Sequence, residues 1–390
     1  MSSTQFFVRY VLLWFSGVAL RITVLAVPPI VPRLHDDLHL SETGIGILSS
    51  LPPLLFAAAA VPGSLLIARL GAVPTLVAGL LITAVAGAAR GALADTVVLF
   101  LTSAVMAFGI AVMQPALPQL VRSWMPERIG FATALYTNGL LIGETASVAL
   151  TIPYVLPMVG DSWRWSFVVW SVPVLLTAVL AASILPRPPQ AAAAPAIPPR
   201  TTWWPDWGSW RIWKLGLLLG SVNSVYFATN AFLPDYLTET GQADSISAAL
   251  TAINLAQLPA SFVMLAFTGR FARRPAAFVT TGVLTLIGLA GAVTMSGVWV
   301  VVWTSLVGLA SAVTLILAFA LPSLLSAPHD VHRTSAAMIT IGYSCAMATP
   351  VIGGFLWDIT GQPLAAFVPI LIWPVLTALL PLVIDFHKST

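Results

Sequence analysis

From Asp95 to Arg122 the chain reads DTVVLFLTSAVMAFGIAVMQPALPQLVR, and no residue between those two ends carries a charge. A bilayer core takes about 20 apolar residues per helix, so a run of this kind is expected to cross a membrane. Similar runs, separated by short charged or Pro/Gly-rich segments, recur through all 390 residues. Hydrophobic residues make up 58% of the chain and charged residues 8%, whereas an ordinary globular chain carries roughly 25% charged residues. The mean hydropathy of +0.94 agrees with that contrast. A chain so poor in charge is expected to be a polytopic membrane protein with no separate soluble domain.

Spans are expected near 7–31, 44–68, 74–93, 96–120, 130–155 and 164–185, then near 210–232, 245–268, 275–296, 298–325, 334–357 and 364–384. The expected fold class is all-α integral membrane, with twelve transmembrane helices in two six-helix bundles. The expected division is a first bundle at 1–185, a cytoplasmic linker at 186–209 and a second bundle at 210–390. The linker lies in PRPPQAAAAPAIPPRTTWWPDWGSW, whose Pro/Ala-rich composition cannot build a packed core. Trp203, Trp204, Trp207 and Trp210 are expected at the headgroup level, where tryptophans anchor. The opening MSSTQFFVRY lacks a small-residue cleavage site, so it reads as the start of a permanent span.

Lysine and arginine set the expected orientation. With the N-terminus inside, only Arg33, Arg90 and Arg164 of the 17 basic residues fall outside, and Arg21 falls within the membrane. The positive-inside rule then places both termini in the cytoplasm. The expected location is the inner (cytoplasmic) membrane, crossed many times by a monomer. The net charge of +3 comes from scattered residues, so no nucleic acid is expected. The lone Cys345 excludes an intrachain disulfide. An internal repeat supports two bundles. LPQL (117–120) and LPSL (321–324) each end a span, and FATALYTNG (131–139) and TSAAMITIG (334–342) follow, as parallel repeats of six helices would.

Two ionisable groups are expected deep in the membrane, Arg21 in the first span and Glu144 in the fifth. Such charges are costly in lipid and usually face a cavity or a partner. Both sit equally far along spans expected to begin at 7 and 130, roughly 21 Å at ~1.5 Å per residue, so they can share a depth and pair. Thr133, Thr137, Ser147 and Thr151 form a polar stripe on the face of Glu144, and Trp14 and Gly17 share the face of Arg21. Asn223, Tyr226 and Asn230 line one face of the seventh span. Asn254, Gln257 and Ser261 do the same in the eighth, and Tyr343 and Ser344 lie midway along the eleventh. Together these faces suggest the walls of one path, although Asn, Gln, Ser and Thr also bind membrane helices together without touching a substrate. Glu144 can be a counter-ion of Arg21, a proton carrier, or both in turn.

All five histidines are read as loop residues, so no metal site is expected. HExxH, GxSxG and GxxxxGK[ST] motifs are absent, which removes the usual marks of a metalloprotease, a hydrolase or an ATP-driven pump. No nucleophile and base can be assembled from the buried residues. Neither catalysis nor a cofactor is expected.

Several segments carry a family resemblance. LRITVLAVPPIVPRL (20–34) and QPALPQLVRSWMPERIGFATALYTNGLLIG (114–143) resemble the cyanate/nitroimidazole porter family of the major facilitator superfamily. ATNAFLPDYL (228–237) and GYSCAMATPVIGGFLWDITG (342–361) are similar to the same pattern. GSLLIARLGAVP (63–74) keeps Gly63, Arg69 and Gly71 of the superfamily's loop motif but has Ala68 where that motif has Asp. Gln114 stands in place of an Asn, and Glu144 follows Gly139-x-x-x-Gly143 where the superfamily's antiporters have Pro. The resemblance implies the major facilitator fold and a secondary transporter working by alternating access, with the lipid bilayer, a small anionic or weakly polar solute and protons as partners. Arg21 would then bind the anion, with Asn223, Tyr226, Asn230, Asn254, Gln257 and Tyr343 as further substrate contacts. Glu144 with Arg21 would form the ion pair or proton-coupling site. An exporter of neutral or cationic drug-like compounds and a non-transporting membrane receptor remain alternatives.

Overall fold

The computed structural model describes residues 3–40, 42–184 and 202–386. Its helices are α1 (Ser3–Ala19), α2 (Glu42–Leu70), α3 (Ala72–Ala89), α4 (Thr96–Trp124), α5 (Ile129–Leu150) and α6 (Trp163–Ser183), followed by α7 (Trp210–Glu239), α8 (Ala243–Phe271), α9 (Pro275–Thr294), α10 (Val298–Leu325), α11 (Val331–Thr360) and α12 (Val368–Leu379). Ten described helices are long and apolar enough to cross a membrane. α1 contributes only the shorter apolar stretch Phe7–Ala19. α7 is long, at 30 residues, but Asn223 and Asn230 dilute its hydropathy.

The two halves repeat one packing scheme. In the first, α3 packs on α4 and α6, α1 on α5 and α6, and α2 on α4. In the second, α9 packs on α10 and α12, α7 on α11 and α12, and α8 on α10. Adding six to each helix number of the first set gives the second, as parallel repeats require. The bundles meet along α2 with α11 and along α5 with α8, again a symmetric pair. The two LP motifs face each other across this interface: Ser323 Oγ donates to Pro118 O at 2.8 Å, and Gln119 Nε2 donates to Pro328 O at 2.9 Å.

Three expectations need correction. The first span is not one helix over 7–31. α1 stops at Ala19, residues 20–27 form turns, and the chain then makes a 3-10 turn at Pro28–Ile30 and a short helix at Val31–Leu38. Pro28, Pro29 and Pro32 keep the ladder from resuming, because they lack the N–H groups that would donate to the carbonyls of Val24, Leu25 and Pro28. Short bonds such as Leu20 N–H to Gly17 O and Val24 N–H to Arg21 O replace it, each 3.0 Å long. Second, Arg90 is no solvated outer residue, because its side chain is only 1% exposed. Third, His332 is not in a loop. It lies buried in the first turn of α11, and His35 belongs to the short helix after the break. The carbonyl of Trp203 also accepts from Ser64 Oγ of α2 at 2.8 Å. Residues 185–201, most of the expected linker, lie outside the described residues, as do His387 and Lys388.

Candidate substrate site

The backbones of α1 and α5 touch because glycines line their contact. A methyl group on Gly17 would fall 1.9 Å from Tyr136 O, and one on Gly143 would fall 2.5 Å from Val18 O. With Gly143 seated on Val18, the next residue, Glu144, is carried to the level of Arg21. Arg21 Nε lies 4.0 Å from Glu144 Oε2, and the two side chains are 12% and 11% exposed. The two side chains thus meet, with Arg21 carried there by turns rather than by a continuous helix. The separation is an ion-pair contact and too long for a hydrogen bond.

Arg21 spends its fork on the second bundle. Its Nη2 donates to Tyr343 Oη of α11 at 2.7 Å. Its guanidinium carbon lies 5.6 Å from the Phe56 ring centroid and 5.8 Å from that of Tyr343, within cation–π range. The Phe56 and Tyr343 rings meet edge to face at 5.1 Å. Arg21 Nε is buried and has no hydrogen-bond partner among the described residues.

Glu144 is also tied across the interface. Tyr226 of α7 hydrogen-bonds to Glu144 Oε1, and the same hydroxyl lies 2.7 Å from Asn254 Oδ1 of α8. The amide orientation of Asn254 is fixed, since its Nδ2 donates to Leu250 O at 2.8 Å. A tyrosine hydroxyl carries one proton, so two acceptors compete for it when Glu144 is ionised. The network thus contains a place for one additional proton. It also joins Arg21, Glu144, Tyr226, Asn254 and Tyr343, from five different spans, into one cluster between the bundles.

The remaining sequence candidates fall outside that set of bonds. Asn230 Nδ2 donates to Tyr226 O of its own helix at 2.8 Å. Asn223 is buried with its Nδ2 unpartnered among the described residues. Gln257 is buried where α8 resumes after a kink at Ala256, and it joins none of these bonds. The stripe on α5 is packing rather than a wet wall. Thr133, Thr137, Ser147 and Thr151 are all fully buried. Thr137 and Ser147 donate to carbonyls of their own helix at 2.9 and 3.0 Å, and Thr151 accepts from Trp170 Nε1 at 2.9 Å. Trp14 and Gly17 meet α5 at Asn138 and Tyr136, the same helix that Arg21 reaches through Glu144. Ser344 is exposed, unlike Tyr343.

Sequence reasoning missed Phe56 and Asn138. Asn138 accepts from Trp14 Nε1 at 3.0 Å and donates to Ser261 Oγ at 2.9 Å, so it joins α1, α5 and α8. The only signals were an aromatic residue ahead of an alanine run in LLFAAAA and a lone amide in YTNG.

Comparison with known proteins agrees with this architecture. Residues 13–242 match the Major Facilitator Superfamily. The chain is similar to the uncharacterized transporter YycB of Bacillus subtilis (strain 168), 25% identical over 350 residues, covering 89% of this chain and 85% of the relative. It is also similar to two proteins of Escherichia coli (strain K12). One is the cyanate transport protein CynX, at 24% over 352 residues with 89% of each chain covered. The other is a 2-nitroimidazole transporter, at 26% over 350 residues with 88% and 86% covered. Among solved structures, FucP in the outward conformation superposes with a TM-score of 0.74 at 16% identity, covering 99% of each chain. The proton:xylose symporter XylE gives 0.74 at 12% identity, covering 98% and 95%. Repeated packing, paired bundles and a polar cluster between them are thus joined to a family match over more than half the sequence, and the chain belongs to the Major Facilitator Superfamily.

Proposed function

We propose that this protein is a secondary transporter that carries a small organic anion, or a weakly polar solute of similar size, across the cytoplasmic membrane by alternating access with proton coupling. The observation that carries this reading is the buried Arg21, held between the bundles with its Nε–H unpartnered. A guanidinium in that setting offers charge-assisted bonds to a carboxylate-like or cyanate-like group. Both contacts of its fork, Tyr343 and Glu144, belong to helices that move relative to one another when the bundles rock. Binding an anion there links substrate to the bundle interface. Asn223 Nδ2 is a second unpartnered donor on the helix that carries Tyr226. Asn230, Asn254, Gln257 and Tyr343 complete the proposed contact set.

Coupling runs through Glu144. An anion that draws Arg21 leaves the carboxylate without its counter-ion, and a proton on Glu144 neutralises it. The protonated carboxyl donates to Tyr226, and Tyr226 is then free to donate to Asn254, so both acceptors are satisfied. Anion and proton are carried together as a symport. The names of two relatives support a small solute, since one is a cyanate transport protein and another a 2-nitroimidazole transporter. A structural neighbour is a proton:xylose symporter, which supports the proton half. In this reading the bundles occupy 1–185 and 210–390, the linker 186–209 and both termini lie in the cytoplasm, and the monomer is the working unit.

Flux into proteoliposomes tests the proposal, with cyanate, benzoate and 2-nitroimidazole as the solutes. Removing a charged hydrogen-bond partner costs about 1.5–3 kcal/mol, so Arg21→Gln is expected to lower uptake of the best solute about 10- to 100-fold. Glu144→Gln is expected to keep solute exchange and lose acceleration by an inward proton gradient. Undiminished uptake by a folded Arg21→Gln protein overturns the anion site, and an undiminished gradient response in Glu144→Gln overturns the coupling.

A further inference from the structure

Arg90 is a buried cation that the proposed cycle does not use. It follows the last residue of α3, at the end of the helix away from Ala72. Among the described residues no carboxylate lies within ion-pair distance of it. Instead its Nη2 donates to Thr23 O at 2.6 Å, its Nε donates to Gly87 O at 3.4 Å, and its guanidinium lies 4.0 Å from the Phe167 ring centroid. Arg164 fastens the loop just beyond it, donating to Gly91 O at 2.8 Å and to Ala92 O at 2.6 Å.

The acceptor explains this unusual burial. Thr23 lies within the turns that interrupt α1. In a continuous helix its carbonyl would accept from the N–H of Val27. In the break that partner is lost, and a buried carbonyl without a donor is costly. Arg90 supplies the donor. The stack on Phe167 holds the guanidinium plane while the fork reaches both Thr23 and Gly87, a task that suits Arg better than Lys. Gly87 lets α3 approach α6: a methyl group there would stand 2.7 Å from Ser171 Oγ.

We propose that Arg90 is a positioning residue that holds the interrupted segment 20–27 of α1 in place, so that Arg21, two residues before the clamped carbonyl, is presented at the level of Glu144. The clamp on the segment is a claim about local structure. Its consequence for substrate rests on the proposal that Arg21 binds the anion.

Hydrogen exchange on the full-length protein in detergent, read by mass spectrometry without any solute, tests the clamp. In Arg90→Gln, peptides covering 20–27 are expected to exchange about tenfold faster, while peptides of α9 and α12 keep the wild-type rate. Arg90→Lys is expected to recover part of the protection. Unchanged exchange at 20–27, or an equal rise in both bundles, overturns the clamp. Should Arg90→Gln not fold, Phe167→Leu keeps the donors and weakens the stack; a smaller rise confined to 20–27 is expected, and no local rise overturns the clamp. The link to Arg21 is read by titrating the same variants with cyanate. A Kd raised about tenfold by Arg90→Gln and partly restored by Arg90→Lys is expected. Faster exchange with an unaltered Kd overturns the link. Cyanate failing to bind wild-type protein counts against the proposed substrate and leaves the exchange result to decide the clamp.

Discussion

α1 and α7 occupy equivalent places in the two repeats, and they present their polar groups in opposite ways. α7 runs 30 residues without interruption. Tyr226 and Asn230 project from it at fixed helical spacing, and Asn230 even bonds back to the carbonyl of Tyr226. α1 ends at Ala19, and its charge, Arg21, is carried by turns whose carbonyls need donors from elsewhere. The regular helix supplies a fixed hydroxyl, whereas the broken one supplies a cation on a segment of turns whose backbone bonds mix three- and four-residue spacings. Such segments open at low free energy and suit a group that must change partners. Prolines mark the difference. Three follow Arg21 within eleven residues in LRITVLAVPPIVP, while α7 contains only Pro234 near its end.

The comparison can be broken most severely by mending α1. Replacing Pro28, Pro29 and Pro32 together by Ala restores the missing donors and favours a continuous helix. Continuing the helix replaces the turns that present Arg21 to Glu144, and anion binding is expected to weaken at least about tenfold by titration, a loss of about 1.4 kcal/mol. Pro234→Ala in α7 is the matched control and is expected to change the Kd less than about twofold, some 0.4 kcal/mol. Tyr226→Phe has an intermediate effect. It removes the hydroxyl that joins Glu144 to Asn254, so proton-driven accumulation is expected to fall several-fold while binding at neutral pH is retained. Asn230→Ala gives the smallest effect of the polar substitutions. Its bond stays within α7, and hydrogen bonds of membrane helices average about 0.6 kcal/mol, so the Kd is expected to move by about threefold or less.

Depth was legible in the sequence because rise per residue is fixed: Arg21 and Glu144 could be set at one level by counting, and the structure brings them to 4.0 Å. Tyr226, Asn254 and Tyr343 were legible as polar groups at mid-span. Rotation and neighbours were not. The stripe from Thr133 to Thr151 has the same spacing whether it faces water or protein, and only packing decides that it is buried. Arg90 lies in AGAARGALAD, where small residues give no hint of the carbonyl it meets. The prolines signal an irregular end to the first span, but where the ladder fails, after Ala19 and nine residues before Pro28, depends on tertiary partners.

Equilibrium titration of purified wild-type, Arg21→Lys and Arg21→Gln proteins with the best-transported solute addresses the central claim. Loss of the guanidinium is predicted to raise the Kd about 10- to 100-fold in Arg21→Gln, with Arg21→Lys between, because it keeps the charge and loses the fork. A folded Arg21→Gln protein that binds the solute as tightly as wild type would contradict the account.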